Sequence, residues 1–263
     1  MSISFKRFFR SEKLFDVLLI FLGITLSMQF DNWNDERKLR KKETAILSSL
    51  YADVVADSVR LVQVINGFDK YYVKPLTLLD SCLQSTKAVD LTQLHRPLKI
   101  TMGSSFMDNN KGAYECFKYE GVALVKNSRL KVKLFDYYED RLSWLDNYQK
   151  LRGDFQNNFI FPVALKYGDS TLCLDKASYL QLRRDAYSCS LLSKWKAIYA
   201  SNREEHQKIL PILLDLKHEL EKELRQKGKD PHRVLVESDV LLNENVEQSA
   251  KKKEVLANQA KRK

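Results

Sequence analysis

The sequence predicts a mostly α-helical protein in which an N-terminal transmembrane helix runs on into an antiparallel helical bundle. Three observations carry that expectation. Only 8 glycines and 5 prolines occur in 263 residues, so helix breakers are scarce. After residue 43, apolar side chains recur at steps of three and four, the period of an amphipathic helix. Before it, from Leu14 to Phe30, only Asp16, Thr25, Ser27 and Gln29 are clearly polar in 17 residues, the short end of what crosses a bilayer.

The flanks decide how that apolar run is read. Lys6, Arg7, Arg10 and Lys13 precede it in the basic segment 1–13, and no small-residue cleavage site follows Ser27. Residues 14–33 therefore read as a retained signal anchor, against the rival readings of a buried core helix and a cleaved leader. Arg37, Lys38, Arg40, Lys41 and Lys42 follow the span, but they stand behind Asp31, Asp35 and Glu36, whereas Lys13 abuts it. The positive-inside rule then puts the N-terminus in the cytoplasm and the bulk of the chain outside it.

At 100° per residue, Asp16, Ile20, Gly23, Ser27, Asp31 and Asn34 share one stripe of this helix, and Thr25, Gln29 and Asn32 lie opposite. Gly23 and Ser27 make a small-xxx-small pair, which suits close approach of two spans, with Asp16 and Gln29 seeking partners across the contact. The expected association residues are Asp16, Gly23, Ser27 and Gln29, unless the polar groups only mark the two interfaces of a short span. Asn32 and Trp33 are expected to anchor its end in the headgroup layer.

These residues also carry a resemblance. Asp16, seven positions before Gly23, followed by "ITLSMQFDNWNDERKLRKKE", resembles the amino-terminal signature of a family of bacterial single-span membrane proteins, domain of unknown function 6090, found mainly in Bacteroidota. In that family an acid precedes a glycine by seven positions and a Gln-x-Asn-Asn-Trp-Asn-Glu run closes the span. Asp16, Gly23, Gln29, Asn32, Trp33 and Asn34 take those places, with Asp16 for the usual glutamate and Asp31 for the usual asparagine. A second stretch, "AYECFKYEGVALVKNSRLKVKLFDYYEDRLSWL", is similar to the family's middle region. The resemblance implies a single-pass protein of the bacterial inner membrane with a helical domain, which the charge pattern would put in the periplasm; it brings no activity.

The domain is expected over 34–227. Ile46, Leu47, Leu50, Tyr51, Val54, Leu61 and Ile65 continue the membrane helix as an amphipathic one, with Gly67 its expected end, and a second helix follows over 69–83 past Pro75. Residues 85–112 read as an irregular loop and the default recognition surface. A short helix over 113–120 is expected to end at Gly121 in the left-handed conformation. Asn127 caps the next, which reaches Tyr167, with Gly153 and Pro162 as places for a kink or break. Helices over 176–187 and 190–226 follow, bent or broken at Pro211. Beyond them, 228–263 reads as a loosely held basic tail.

No spacing points to catalysis. His95, His206, His218 and His232 form no metal motif, and "EEHQK" and "KHELEKE" read as solvated helix faces. Asp136, Glu139 and Asp140 read as surface partners of Lys133 and Arg141, and Tyr137 and Tyr138 as core. Cys82, Cys116, Cys173 and Cys189 read as small buried thiols, although an oxidising compartment would permit disulfides. No cofactor and no enzymatic activity are expected. The net charge of +10 suits anionic lipid, an envelope polymer or nucleic acid. The favoured reading is a self-associating envelope module that meets membrane lipid and a protein or polymer partner, with nucleic acid the unlikely one. The rival is a cytoplasm-facing anchor whose tail, Lys251–Lys253 and Lys261–Lys263, touches lipid or nucleic acid.

Overall fold

The computed structural model describes residues 11–85, 109–169 and 174–236, with side chains from residue 16 onward, and every regular element among them is helical. The irregular segment at 86–108, Cys173 and the end of the tail from 237 lie outside the described residues, as do Lys6, Arg7 and Arg10.

Helix α1 (Ser11–Phe68) passes Gly67 without ending there. A π turn, Asp69–Val73, carries it directly into α2 (Lys74–Gln84), and the Lys74 N–H bonds the Asp69 carbonyl five residues back. The wider turn resolves the problem of Pro75, which has no N–H and would crowd the carbonyl four residues before it in a regular helix. The same device serves Pro162. There α4 (Ser128–Phe135), a π turn at Asp136–Arg141, α5 (Leu142–Phe155) and a second π turn at Gln156–Ile160 lead without interruption into α6 (Phe161–Tyr167), and Phe161 N–H bonds the Gln156 carbonyl. Neither Gly153 nor Pro162 breaks the chain. Asn127 caps α4 as its type suggests, accepting from the Leu130 N–H at 3.1 Å.

Gly121 departs from expectation. After α3 (Gly112–Cys116) a π turn spans Phe117–Gly121, and only Gly228 among the described glycines has a positive φ. Gly121 is buried, and a Cβ there would lie 2.8 Å from Phe117 Cδ2 and 3.2 Å from Ile46 Cγ2. The residue is glycine because Phe117 and, behind it, Ile46 of α1 leave no room for a side chain, not because the backbone turns left-handed.

Asp185 separates α7 (Lys176–Arg184) from α8 (Ala186–Gln226). Its carboxylate caps α8, accepting from the N–H groups of Tyr187 and Ser188 at 3.1 Å each, and also takes the Tyr167 hydroxyl at 2.6 Å and Lys166 Nζ at 3.0 Å. These donors, Tyr167 first, hold its carboxyl well below the usual range. Pro211 lies exposed inside α8 without ending it. The helix stops at Gly228, φ 72°, where Lys229 N–H reaches the Leu224 carbonyl and Gly228 N–H the Arg225 carbonyl. That Schellman closure turns the chain back. A helical turn at 231–236 then seats Val234 at 6% exposure, so the tail is docked at least to residue 236.

Cross-contacts fix the directions. Glu43 meets Lys227, Tyr51 meets Glu221, Asp69 meets Arg203 and Asp80 meets Ser193, so α1–α2 and α8 run antiparallel. Asn127 meets Glu223 and Lys133 meets Asp215, so α4 is antiparallel to α8 as well. The α1–α2 and α4–α6 rods therefore run parallel to each other, a correction to simple up-and-down order. Its cause is the connection: Cys82 accepts from the Tyr179 hydroxyl at one end of the bundle, whereas Asn110 donates to Asp53 some 29 residues, roughly 44 Å, back along α1.

Between the rods lies a core of Leu, Val and rings. Tyr72 stacks on Tyr199 at 4.2 Å, Phe68 leans on Tyr199 at 5.8 Å, and Trp195 meets Tyr199 edge-on at 4.7 Å. Each large apolar side chain buried here contributes about 1.5–3 kcal/mol, which stabilises the bundle without the outer half of α1. Tyr137 and Tyr138 are both buried although adjacent, because the π turn carrying them puts consecutive residues on the inner face.

Candidate functional site

The outer half of α1 stands apart from this core. From Asp16 to Lys42 every residue is exposed except half-buried Thr25; the first ion pair to the bundle is Lys42 with Glu120 at 3.0 Å, and burial against it begins at Glu43. Val17, Leu18, Leu19, Ile20, Phe21 and Leu22 are consecutive, so their side chains point in all directions around the helix. Ile24, Leu26, Met28, Phe30 and Trp33 extend the apolar sleeve, and Phe21 and Phe30 are 70% and 66% exposed. An amphipathic helix would hide one apolar stripe, whereas here large apolar side chains stand on several faces, with Asp16, Gly23 and Ser27 on one stripe and Gln29 opposite. Among the described residues, no helix is long and apolar enough to cross a membrane.

Each residue singled out from sequence is on this projecting half. Asp16, Gly23, Ser27, Gln29, Asn32 and Trp33 are exposed, and the fold brings none of them against the bundle. A Cβ added at Gly23 would meet nothing within 4 Å. Thr25 turns its hydroxyl inward, donating to the Phe21 carbonyl at 2.8 Å, which satisfies it without water. The Arg37 guanidinium lies over the Trp33 ring at 5.8 Å, the first basic group beyond the sleeve.

Three polar side chains inside the bundle were not anticipated. Asp57 is wholly buried and accepts the Tyr137 hydroxyl at 3.1 Å. Burial pushes its carboxyl up to about 6, against the opposing pull of Tyr137. His206 is 1% exposed, packed edge-on to Phe68 at 5.0 Å, with Nδ1 2.7 Å from the Asn202 carbonyl; it does not lie on a solvated face. Its burial lowers its pKa. Arg152 is equally buried, its guanidinium 5.4 Å from the Phe68 and Tyr199 rings. These groups are enclosed by packed side chains rather than arrayed around an opening.

On the surface, Arg141 pairs with Asp136 as expected, whereas Glu139 pairs with Lys118 at 2.9 Å and Lys133 reaches across to Asp215 and Glu219. Cys82, Cys116 and Cys189 are free thiols, and none is fully buried as the sequence suggests: Cys82 and Cys189 are half-buried, and Cys116, at the end of the short α3, is exposed. No known family, curated protein or solved structure matches the chain, so the amino-terminal resemblance rests on its motif residues alone.

Proposed function

We propose that the chain is a membrane-anchored, non-enzymatic helical module of the bacterial envelope, with residues 14–33 of α1 inserted in the inner membrane and the bundle held at its surface. The observation that carries this reading is the sleeve, a run of large exposed apolar side chains from Val17 to Phe30, interrupted by Gly23, Thr25, Ser27 and Gln29 and packed against nothing in the bundle. Leu14 to Phe30 as a helix is roughly 25 Å long, a few Å less than the hydrocarbon core, a mismatch that local thinning or snorkelling residues accommodate at small cost. The continuity of α1 gives the anchor its use: no hinge separates the sleeve from the bundle, so membrane and domain are joined by one rigid rod. The buried Asp57 and His206 support a structural role for the polar core.

Replacing Leu18, Leu22 and Leu26 together by lysine tests the anchor. The parent protein is expected in the membrane fraction after an alkaline wash and the variant in the soluble fraction, with the same thermal midpoint for the bundle. A parent protein that stays soluble and monodisperse without detergent would overturn the reading. A periplasmic-type reporter fused after Lys263 reads the orientation.

Self-association through the span belongs to the same proposal. Open space around Gly23 leaves the approach of a second helix unobstructed, so Gly23→Ile is expected to weaken crosslinking between copies in membranes strongly and Gln29→Leu less. Unchanged crosslinking of Gly23→Ile would confine Asp16 and Gln29 to seating a short span.

A further inference from the structure

Where the sleeve ends, the antiparallel packing of α1 and α8 builds a basic cleft. Arg37, Arg40, Lys41, Thr44 and Ser48 line it from α1, and Lys227 and Lys229 from the end of α8; its volume is about 510 Å³. Two of its five cations are already engaged, Arg40 with Glu36 at 3.4 Å and Lys227 with Glu43 at 2.8 Å. Arg37, Lys41 and Lys229 make no ion pair among the described residues. No carboxylate lines the cleft itself.

Helix geometry aims this charge at the sleeve. Trp33, Arg37, Lys41, Thr44 and Ser48 follow one another at steps of three and four, so they form one stripe running out of the apolar segment. Arg37 lies seven residues, roughly 10 Å, beyond Phe30, and helical side chains lean toward the N-terminus, which here is the sleeve. Its guanidinium already does so, over Trp33. Lys41 stands roughly 6 Å further along, and Lys229 enters from the other helix.

We propose that this cleft is a binding site for the phosphate headgroup of an anionic phospholipid, formed jointly by α1 and the end of α8. It rests on the membrane reading above and deepens it by naming the lipid class. Arg37 and Lys41 supply charge-assisted donors to the phosphate oxygens, Ser48 can add a hydroxyl donor, and Lys229 closes the far side. Because Lys229 follows the Schellman turn, the site exists only when α8 is docked on α1, so lipid contact reports on the folded bundle as well as on the anchor.

The full chain, reconstituted in mixed vesicles of phosphatidylcholine and phosphatidylglycerol, tests this through Trp33. Bromine on the phosphatidylglycerol chains is expected to quench Trp33 at least twofold more than the same mole fraction of bromine on phosphatidylcholine, with Trp33→Phe giving the background of the other two tryptophans. The triple variant Arg37→Gln, Lys41→Gln, Lys229→Gln is expected to quench equally with both lipids, whereas Lys150→Gln, outside the cleft, keeps the parent's preference. All three positions are exposed, and an unchanged circular dichroism melt verifies that the bundle is intact. Equal quenching in the parent protein overturns the headgroup site and leaves the membrane reading standing. Absence of quenching by either lipid overturns the membrane reading itself. A saturable change of Trp33 emission on adding inorganic phosphate in detergent, without lipid preference in vesicles, assigns the cleft to a soluble phosphate and overturns the lipid assignment.

Discussion

Gly121→Ala is expected to lower the unfolding midpoint of the bundle, and Gly153→Ala, the same chemical change, to raise it. At Gly121 the new methyl would lie 2.8 Å from Phe117 Cδ2 and 3.2 Å from Ile46 Cγ2. Phe117 and Ile46 are both buried in the core, so neither can swing into solvent to make room. Overpacking of this kind costs about 1–3 kcal/mol, with each kcal/mol worth roughly 2–4 °C in a domain of this size. Gly153 sits inside α5 with nothing within 4 Å of an added Cβ. There the methyl meets no obstacle and restricts the unfolded chain, a gain of about 0.4–1 kcal/mol. Thermal denaturation followed by helical circular dichroism reads both. A double-mutant cycle with Ile46→Ala separates crowding from other causes, since the Gly121→Ala penalty is expected to shrink when Ile46 is truncated. A Gly121→Ala midpoint equal to the parent's would mean that α1 and α3 move apart at no cost.

Those two glycines also show where sequence reading stops. From sequence Gly121 reads as a cap and Gly153 as a kink, both inferences from what glycine permits along its own stretch of chain. At Gly121 the space is taken by Phe117, four positions earlier, and by Ile46, 75 positions earlier, and no local pattern contains the second neighbour. Gly67 and Pro162 mislead in the same way. From sequence each reads as a place where a helix ends or breaks, but a π turn just before Pro75 and another just before Pro162 supply the extra residue that lets the helix continue. Caps set by adjacent residues, as at Asn127, were legible because donor and acceptor lie three positions apart.

The sleeve was legible for a similar reason: a run of consecutive apolar residues needs no knowledge of the fold to be noticed. Asp57, Arg152 and His206 were discoverable by register. Asp57 occupies the stripe of Leu50, Val54 and Leu61, and His206 that of Tyr199, Ile209 and Leu213, all buried. Reading "EEHQK" by its charges hid the position of its histidine on the inner face. The basic cleft was not discoverable from α1 alone, because Lys227 and Lys229 join it only through the antiparallel register with α8.

Asp57→Asn is expected to stabilise the bundle at pH 7 and to expose a pH dependence that the parent protein conceals. Asp57 titrates at about 6 when folded against 3.8 ordinarily, because burial disfavours its charge, with nearby Asp53 adding to the shift and Tyr137 and Arg60 opposing it. Between pH 4 and 6 the folded state thus keeps a proton that the unfolded state has lost, and stability falls as pH rises through that window. The full cost, in place above pH 6, is about 3 kcal/mol. His206 acts in the opposite sense. Its folded pKa is depressed below 6.5, so the unfolded state takes up the proton first on acidification and stability rises with pH until 6.5. The two slopes oppose each other in the parent, which should show a shallow midpoint between pH 4 and 6.5. Asparagine at 57 can still accept from Tyr137 but carries no charge, so the variant should equal the parent near pH 4, gain on it as pH rises, and exceed it by several degrees at pH 7; Asp53, whose carboxyl burial also raises, contributes the same falling slope to both. His206→Leu should do the reverse, falling between pH 4 and 6. Asp69, Asp80, Glu139, Asp175, Asp185 and Asp215, all lowered by their donors, lose their contribution only in more acid solution and do so alike in every variant. Midpoints measured from pH 4 to 7 for the parent and both variants decide the matter. Three parallel curves would mean that neither buried group changes its protonation on folding, and that water reaches the interior around Tyr137 and Phe68.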